Sequence, residues 1–360
     1  MNYSLEDLGW NAHFARTFEP YQPAGFTAAR VTVEQRGQYV VLTGAGEFDA
    51  EVTGKLLFNA DSPADLPKVG DWAAVSLFAG EQKAIIHHVL PRLTRFSRQA
   101  AGGKIQEQVL AANIDVIFVV QGADHDFNLR RLERYLLLVN EGGARSIILL
   151  NKIDLCTDLP TKQAQMAAIA PDTPVLTISA ATGDGLATLR HMLQPGQTYA
   201  LVGSSGVGKS TLLNQLAGAE LFKTNAVRAN DSRGRHTTTH RELVVLPGGA
   251  LLIDSPGMRG VQLWGNADGI EDAFAEITAL AAACHFPDCT HTSEIGCAVQ
   301  AALANGQLDQ ERYNNYLKLN RETDYLESKQ NQKAYLDARR NEKKLGRAIK
   351  NYHKLHDIKR

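Results

Sequence analysis

Apolar positions in the first third of the chain come in short runs. β-Branched and apolar residues recur at 29–34 (ARVTVE), 38–43 (QYVVLT), 48–53 (FDAEVT), 72–77 (WAAVSL) and 83–89 (KAIIHHV). Turn residues separate the runs, at Arg36-Gly37, Gly44-Ala45-Gly46, Pro63 to Pro67, Gly70-Asp71 and Gly80-Glu81. Five short strands in about 60 residues predict a small barrel of OB-like size. An SH3-like barrel would give the same pattern. From about residue 110 the pattern changes to continuous apolar runs: IDVIFVV (114–120), SIILL (146–150), PVLTIS (174–179), TYALVG (198–203), ELVVL (242–246) and ALLID (250–254). Helical segments near 129–140, 160–169, 184–194 and 209–218 interleave with them. This alternation predicts an α/β domain with a parallel sheet covered on both faces. After 265 the chain reads as helical, with Ile270, Phe274, Ile277 and Leu280 on one face. Beyond 307 there is one glycine, Gly346, and no proline, which permits a long C-terminal helix. The expected division is an N-terminal extension (1–28), the barrel (29–95), the α/β domain (108–264) and a helical domain (265–360).

Composition narrows the class. The chain has 360 residues, 44% hydrophobic and 21% charged, which excludes disorder throughout, and its 4 Cys exclude a disulfide scaffold. No apolar run reaches the roughly 18 residues of a membrane span. The first residues carry Glu6 and Asp7 and no apolar segment, so no signal peptide and a cytoplasmic location are expected. A net charge of −1 conceals an asymmetry: residues 329–360 hold 11 Lys+Arg and 3 Asp+Glu, and the rest 27 and 36. A basic tail on an acidic body points either to a phosphate-rich partner or to a solvated helix.

The chemistry centres on three motifs. Gly203-Ser204-Ser205-Gly206-Val207-Gly208-Lys209-Ser210, with Thr211 next, fits GxxxxGK[ST] and lies between an apolar strand and a helix. Its backbone amides would wrap phosphates, Lys209 would neutralise the β/γ oxygens and the Ser210 hydroxyl would ligate Mg²⁺. In ALLIDSPG, Asp254 would hold Mg²⁺ through water and the Gly257 amide would meet the γ-phosphate. In LLNKIDL, Asp154 would accept two hydrogen bonds from guanine, Asn151 would tie this loop to the phosphate loop, and Lys152 would lie over the base. Ser179-Ala180 would close the other edge of the base through a backbone amide. Met258 stands where Ras-like enzymes place a water-orienting Gln. Thr238 in the loop 224–241 would reach Mg²⁺ and the γ-phosphate. Gly206 occupies the position where potassium-activated GTPases carry Asn, so no monovalent activator is expected. Separately, Cys284, Cys289, His291 and Cys297 form C-x₄-C-x-H-x₅-C, which suits one structural Zn²⁺. His285 is a competing imidazole.

Ras-like GTPases run phosphate loop, DxxG, NKxD, SA; here NKID (151) and SA (179) precede the phosphate loop (203) and DSPG (254). NKID, GSSGVGKST, GRHTTT (234–239) and DSPG in this order resemble the circularly permuted GTPases of small ribosomal subunit maturation, the RsgA (YjeQ) type. The resemblance extends over nearly the whole chain, including the N-terminal barrel and the Cys/His cluster. It implies an OB-like barrel, a permuted P-loop GTPase domain and a zinc-binding helical domain. It implies a GTPase, stimulated by the small ribosomal subunit and its rRNA, that converts GTP to GDP and phosphate. It favours His291 over His285 as the zinc ligand and suggests His236 as the group that orients the attacking water; the rival reading is that His236 only stabilises the switch or meets rRNA. A monomer with no membrane association is expected. The alternative is a GTP-dependent RNA-binding switch with negligible hydrolysis, which Met258 favours.

Overall fold

In the computed structural model, residues 3–35, 37–100, 106–218, 241–254 and 268–329 are described. They form two compact units, one within residues 3–254 and the other within 268–329. Among the described residues, no helix is long and apolar enough to cross a membrane.

The first unit opens with helix α1 (Ala12–Phe18), whose N-cap Asn11 accepts hydrogen bonds from the amides of His13 and Phe14. Strands β1 (Thr27–Gln35), β2 (Gln38–Thr43), β3 (Gly46–Val52), β4 (Trp72–Phe78) and β5 (Lys83–Val89) follow, with the short helix α2 (Gly54–Asn59) between β3 and β4. The strand order is β1-β2-β3-β5-β4, and β4 pairs back onto β1, which closes a five-stranded barrel. The expected OB-like barrel is therefore present. Alternation drives it: in β3, Phe48 and Ala50 are buried while Glu47, Asp49 and Glu51 are exposed. Those apolar residues join Val31, Tyr39, Val41, Val75 and Ile86 in the barrel core.

The expected α/β domain follows. A hairpin of β6 (Arg95–Gln99) and β7 (Glu107–Ala112) leads into β8 (Val116–Gly122), every residue of which is buried. Helix α3 (Leu129–Glu141), strand β9 (Arg145–Asn151), helix α4 (Leu159–Ile169), strand β10 (Val175–Thr177), helix α5 (Leu186–Met192), strand β11 (Thr198–Val202) and helix α6 (Lys209–Ala217) alternate as the hydropathy pattern predicts. Strands β12 (Arg241–Val245) and β13 (Leu251–Asp254) complete the sheet. The order β10-β9-β8-β11-β13 is parallel throughout. The expectation of a wholly parallel sheet fails at β12, which runs antiparallel to β13 because a tight turn joins them.

The barrel and this sheet are continuous. Strand β1 pairs antiparallel with β12, Val33 opposite Glu242 and Glu34 opposite Arg241. Glu34 binds Arg241 at 3.1 Å across this joint and Lys68 of the barrel at 2.5 Å. Arg30, buried beneath it, donates to the carbonyls of Leu8 (2.8 Å) and Asn113 (3.0 Å) and to Thr198 Oγ1 (3.1 Å). Its guanidinium lies 5.3 Å from the Trp72 ring centre. Burial lowers the Arg30 pKa to about 10, against the pull of Asp115 and Asp71, so the group stays charged at neutral pH and its partners are obligatory.

In the second unit the expected helix over 270–280 is two helices, α7 (Asp268–Ala273) and α8 (Ala275–Ala281). Arg312 explains the break: it donates to the Ala273 carbonyl at 2.8 Å, packs over the Phe274 ring and binds Glu276. Ile270, Phe274 and Ile277 are buried as the periodicity predicts. Helix α9 (Ala298–Ala304) and a further helix, α10 (310–329), complete the described part.

Candidate functional site

The nucleotide motifs converge on the carboxyl ends of adjacent strands, where parallel α/β sheets bind ligands. The phosphate loop leaves β11 and enters α6. Three glycines in it have positive φ: Gly203 (+150°), Gly206 (+79°) and Gly208 (+99°). A Cβ at Gly203 would stand 2.4 Å from the Val120 carbonyl oxygen, and one at Gly208 would stand 2.4 Å from Asn151 Nδ2. Neither position admits a side chain, so the loop lies flush against β8 and β9. Val207 is fully buried in the core beneath and pins the turn. Lys209 Nζ donates to the carbonyls of Gly203 (2.7 Å) and Ser204 (2.5 Å), which folds the ammonium back over the loop. Ser210 and Thr211 follow in the first turn of α6 and are half-buried. Ser205 and Gly206 are exposed at the tip.

Asn151 binds this loop to the base-reading segments. Its Nδ2 donates to the Val207 carbonyl at 2.8 Å, and its Oδ1 accepts from the Ala180 amide at 2.9 Å. The Ala180 amide, expected at the edge of the base, is thus engaged by Asn151. Ser179 Oγ donates to Asp154 Oδ1 at 2.6 Å and accepts from the Thr182 amide. Asp154 itself is exposed. Lys152 takes a left-handed backbone, φ +66°. Asp254 ends β13, directly beside β11. Gly257, His236, Thr238 and Met258 lie outside the described residues.

Two carboxylates at this edge belong to no motif in the sequence. Asp124 Oδ2 binds Lys152 Nζ at 2.7 Å. Asp126 accepts from Ser204 Oγ in the phosphate loop and pairs with Arg131 at 2.8 Å. The only signal is the polar run ADHDFN straight after a buried strand of the sheet, and it matches no phosphate or base motif.

The second unit holds the metal candidate. One ligand atom from each of Cys284, Cys289, His291 and Cys297 lies within 4.8 Å of every other. The Sγ atoms of Cys284 and Cys297 are 3.8 Å apart, and His291 Nδ1 stands 3.5 Å and 3.6 Å from them. A tetrahedron with Zn–S of about 2.3 Å and Zn–N of about 2.0–2.1 Å has edges of about 3.8 and 3.6 Å. The donor set and spacing therefore fit zinc, with Nδ1 as the coordinating nitrogen. His285 is not in the group; it packs against Gly296, where a Cβ would meet its own Cβ at 2.9 Å. The His291 carbonyl accepts from Tyr313 Oη (2.6 Å) and from Gln300 Nε2, which fixes its strained backbone, φ +60°.

Comparison with known proteins agrees with this geometry. The RsgA GTPase family model matches residues 89–264. An ABC transporter model matches residues 186–352, a stretch that includes the phosphate loop. The "Small ribosomal subunit biogenesis GTPase RsgA" of Opitutus terrae is 49% identical over 331 residues, 89% of this chain and 90% of that protein. The protein of the same name from Methanosarcina acetivorans is 42% identical over 351 residues, 96% of this chain and 93% of that protein. The fold resembles the crystal structure of YjeQ from Thermotoga maritima, with a TM-score of 0.61 and 23% identity over 83% of this chain and 98% of that one. It also resembles YloQ, described as a circularly permuted GTPase, with a TM-score of 0.57 and 24% identity over 83% of this chain and 95% of that one. With its motif order, its barrel and relatives matching along nearly its full length, the chain belongs to the RsgA family of circularly permuted GTPases.

Proposed function

We propose that this protein acts in late maturation of the small ribosomal subunit, hydrolysing GTP to GDP and phosphate when the subunit is bound. The Asn151 bridge carries the nucleotide half of this reading, because one side chain holds the phosphate loop and the base-reading loops in fixed relation. The names of the relatives supply the subunit.

Asp154 reads guanine through its carboxylate, with Ser179 fixing its rotamer. A base contact through the Ala180 amide requires that amide to exchange its Asn151 acceptor for the base. The amides of Gly203 to Thr211 and the N-terminus of α6 hold the phosphates, and Lys209 swings from the Gly203 and Ser204 carbonyls onto the β/γ oxygens. Magnesium would be held by the Ser210 hydroxyl and, through water, by Asp254. When bound it neutralises charge on the phosphates. The Gly257 amide and Thr238 meet the γ-phosphate, and His236 orients the attacking water in place of the Gln that Met258 replaces. One zinc on Cys284, Cys289, His291 and Cys297 is structural, since four protein ligands leave no position for substrate. The barrel and the zinc-bearing helical arm contact rRNA, helped by the basic tail, and the protein works as a cytoplasmic monomer. The division into extension (1–28), barrel (29–95), GTPase domain (108–264) and zinc domain (265–360) is the functional one.

GTP turnover by the full chain, measured alone, with small subunits and with large subunits, tests the proposal. A steep rise with small subunits only is expected. A flat rate with retained GTP binding would favour the RNA-binding switch that Met258 suggests.

A further inference from the structure

Residues 123–128 follow β8 and stand between the base-reading loop and the phosphate loop. At one end they are tied to the NKID segment. The Ala123 amide donates to the Asn151 carbonyl at 2.7 Å, and Asp124 binds Lys152 at 2.7 Å with its side chain only 9% exposed. Lys162 on α4 donates to the Ala123 carbonyl from the other side. Burial pulls the Asp124 carboxyl up, but hydrogen bonds from Lys152 and from the Asp126 amide outweigh it, so its pKa lies below the ordinary value. The Asp124 carboxylate is charged at neutral pH. At the other end Asp126 accepts from Ser204 of the phosphate loop and is held by Arg131, while Gln121 donates to its carbonyl at 3.0 Å.

We propose that residues 123–128 are a strut of the nucleotide site: Asp124 positions Lys152 over the base, and Asp126 positions the phosphate loop through Ser204. The proposal rests on the guanine-nucleotide reading above. Its physical basis is preorganisation. A lysine side chain ordered by a ligand loses rotamer freedom, an entropic cost of binding. Held beforehand by Asp124, Lys152 meets that cost on folding and not on binding. The Ser204 hydroxyl adds a side-chain anchor from outside the loop, beside the Asn151 bond to Val207. Both carboxylates act through the residue they hold. The strut therefore raises affinity and slows release without entering the chemistry.

Two double-mutant cycles on the full chain, read by GDP dissociation constants and GDP release rates, test it. Asp124→Ala should weaken GDP about tenfold in the wild-type background and less than about twofold in a Lys152→Met background. Asp126→Ala should weaken it about fivefold in the wild type and less than about twofold with Ser204→Ala. A carboxylate that only supports the fold would cost the same in both backgrounds, so additivity in either cycle overturns the strut. Should an Ala variant fail to fold, Asp124→Asn and Asp126→Asn, which keep the volume and remove the charge, go through the same cycles. A wild-type chain that binds no GDP overturns the guanine-nucleotide reading and the strut with it. Binding with additive cycles overturns the strut alone.

Discussion

Ser179 holds one oxygen of Asp154 at 2.6 Å, so the carboxylate proposed to read the base has a fixed rotamer although it is exposed. Its acceptor character decides which base is taken. Asp154→Asn should move preference from guanine to xanthine, since the amide presents a donor to the xanthine carbonyl. The loss for GTP should be of the order of two charge-assisted hydrogen bonds, roughly 3–6 kcal/mol. Competition titration of GTP against XTP checks it, and unchanged GTP affinity would refute the assignment. Glu141, the last residue of α3, makes a second prediction at this scale. Burial pushes its carboxyl up to about 7, from an ordinary value of 4.5. The folded protein therefore holds this proton more tightly than the unfolded chain does. The resulting stability is fully present below about 4.5 and is lost as pH rises to about 7. Glu141→Gln should raise the melting temperature by a few degrees at pH 8, by roughly the shift usual for a kcal/mol-scale change. At pH 4 the gain should shrink towards zero, and a difference independent of pH would contradict the sign.

The candidate zinc segment is held by the His291 carbonyl bonds and, in the proposed zinc form, by its four ligands, because the turn-rich stretch from 284 to 297 buries little besides Cys297. Cys289→Ser should cost most of one equivalent of zinc by metal analysis and loosen amide protection across α8, α9 and α10, while GTP affinity stays within about twofold. Full zinc retention in the variant would remove Cys289 from the ligand set. Elements differ in how well the sequence announces them. Strand β8 and helix α6 are legible because a buried strand is apolar throughout and a phosphate loop needs glycine where Gly203 and Gly208 stand. The β6–β7 hairpin is not, since RFSRQ and EQVLAA mix polar and apolar residues without clean alternation. The break at Phe274 is invisible because its cause, Arg312, lies 38 residues away. Asp124 and Asp126 escape because their role depends on Lys152 and Ser204, partners that no local spacing encodes.

At the scale of the whole chain, charge separation makes a further prediction. Deleting residues 329–360 removes 11 basic and 3 acidic side chains. Affinity for the small subunit should fall at low salt, and the slope of log affinity against log salt should flatten by about 0.7–0.9 for each phosphate that the tail neutralises. GTP affinity should not change. Full subunit affinity with an unchanged slope would make the tail a solvated helix. The permuted motif order is readable because each motif keeps its own loop whatever order the chain visits them in. Strand direction is not readable, so β12 comes as a reversal, and so does its pairing with β1, about 200 residues earlier. That pairing has a further consequence. Without it β12 would end the GTPase sheet as an open edge, a row of unpaired amides and carbonyls inviting another chain. The barrel's first strand covers the start of that edge, at Arg241 and Glu242, and Glu34 bonds Arg241 across the seam. A GTPase core cut free of its barrel would thus be a sticky fragment, prone to pairing with itself, and the barrel doubles as its built-in chaperone against aggregation.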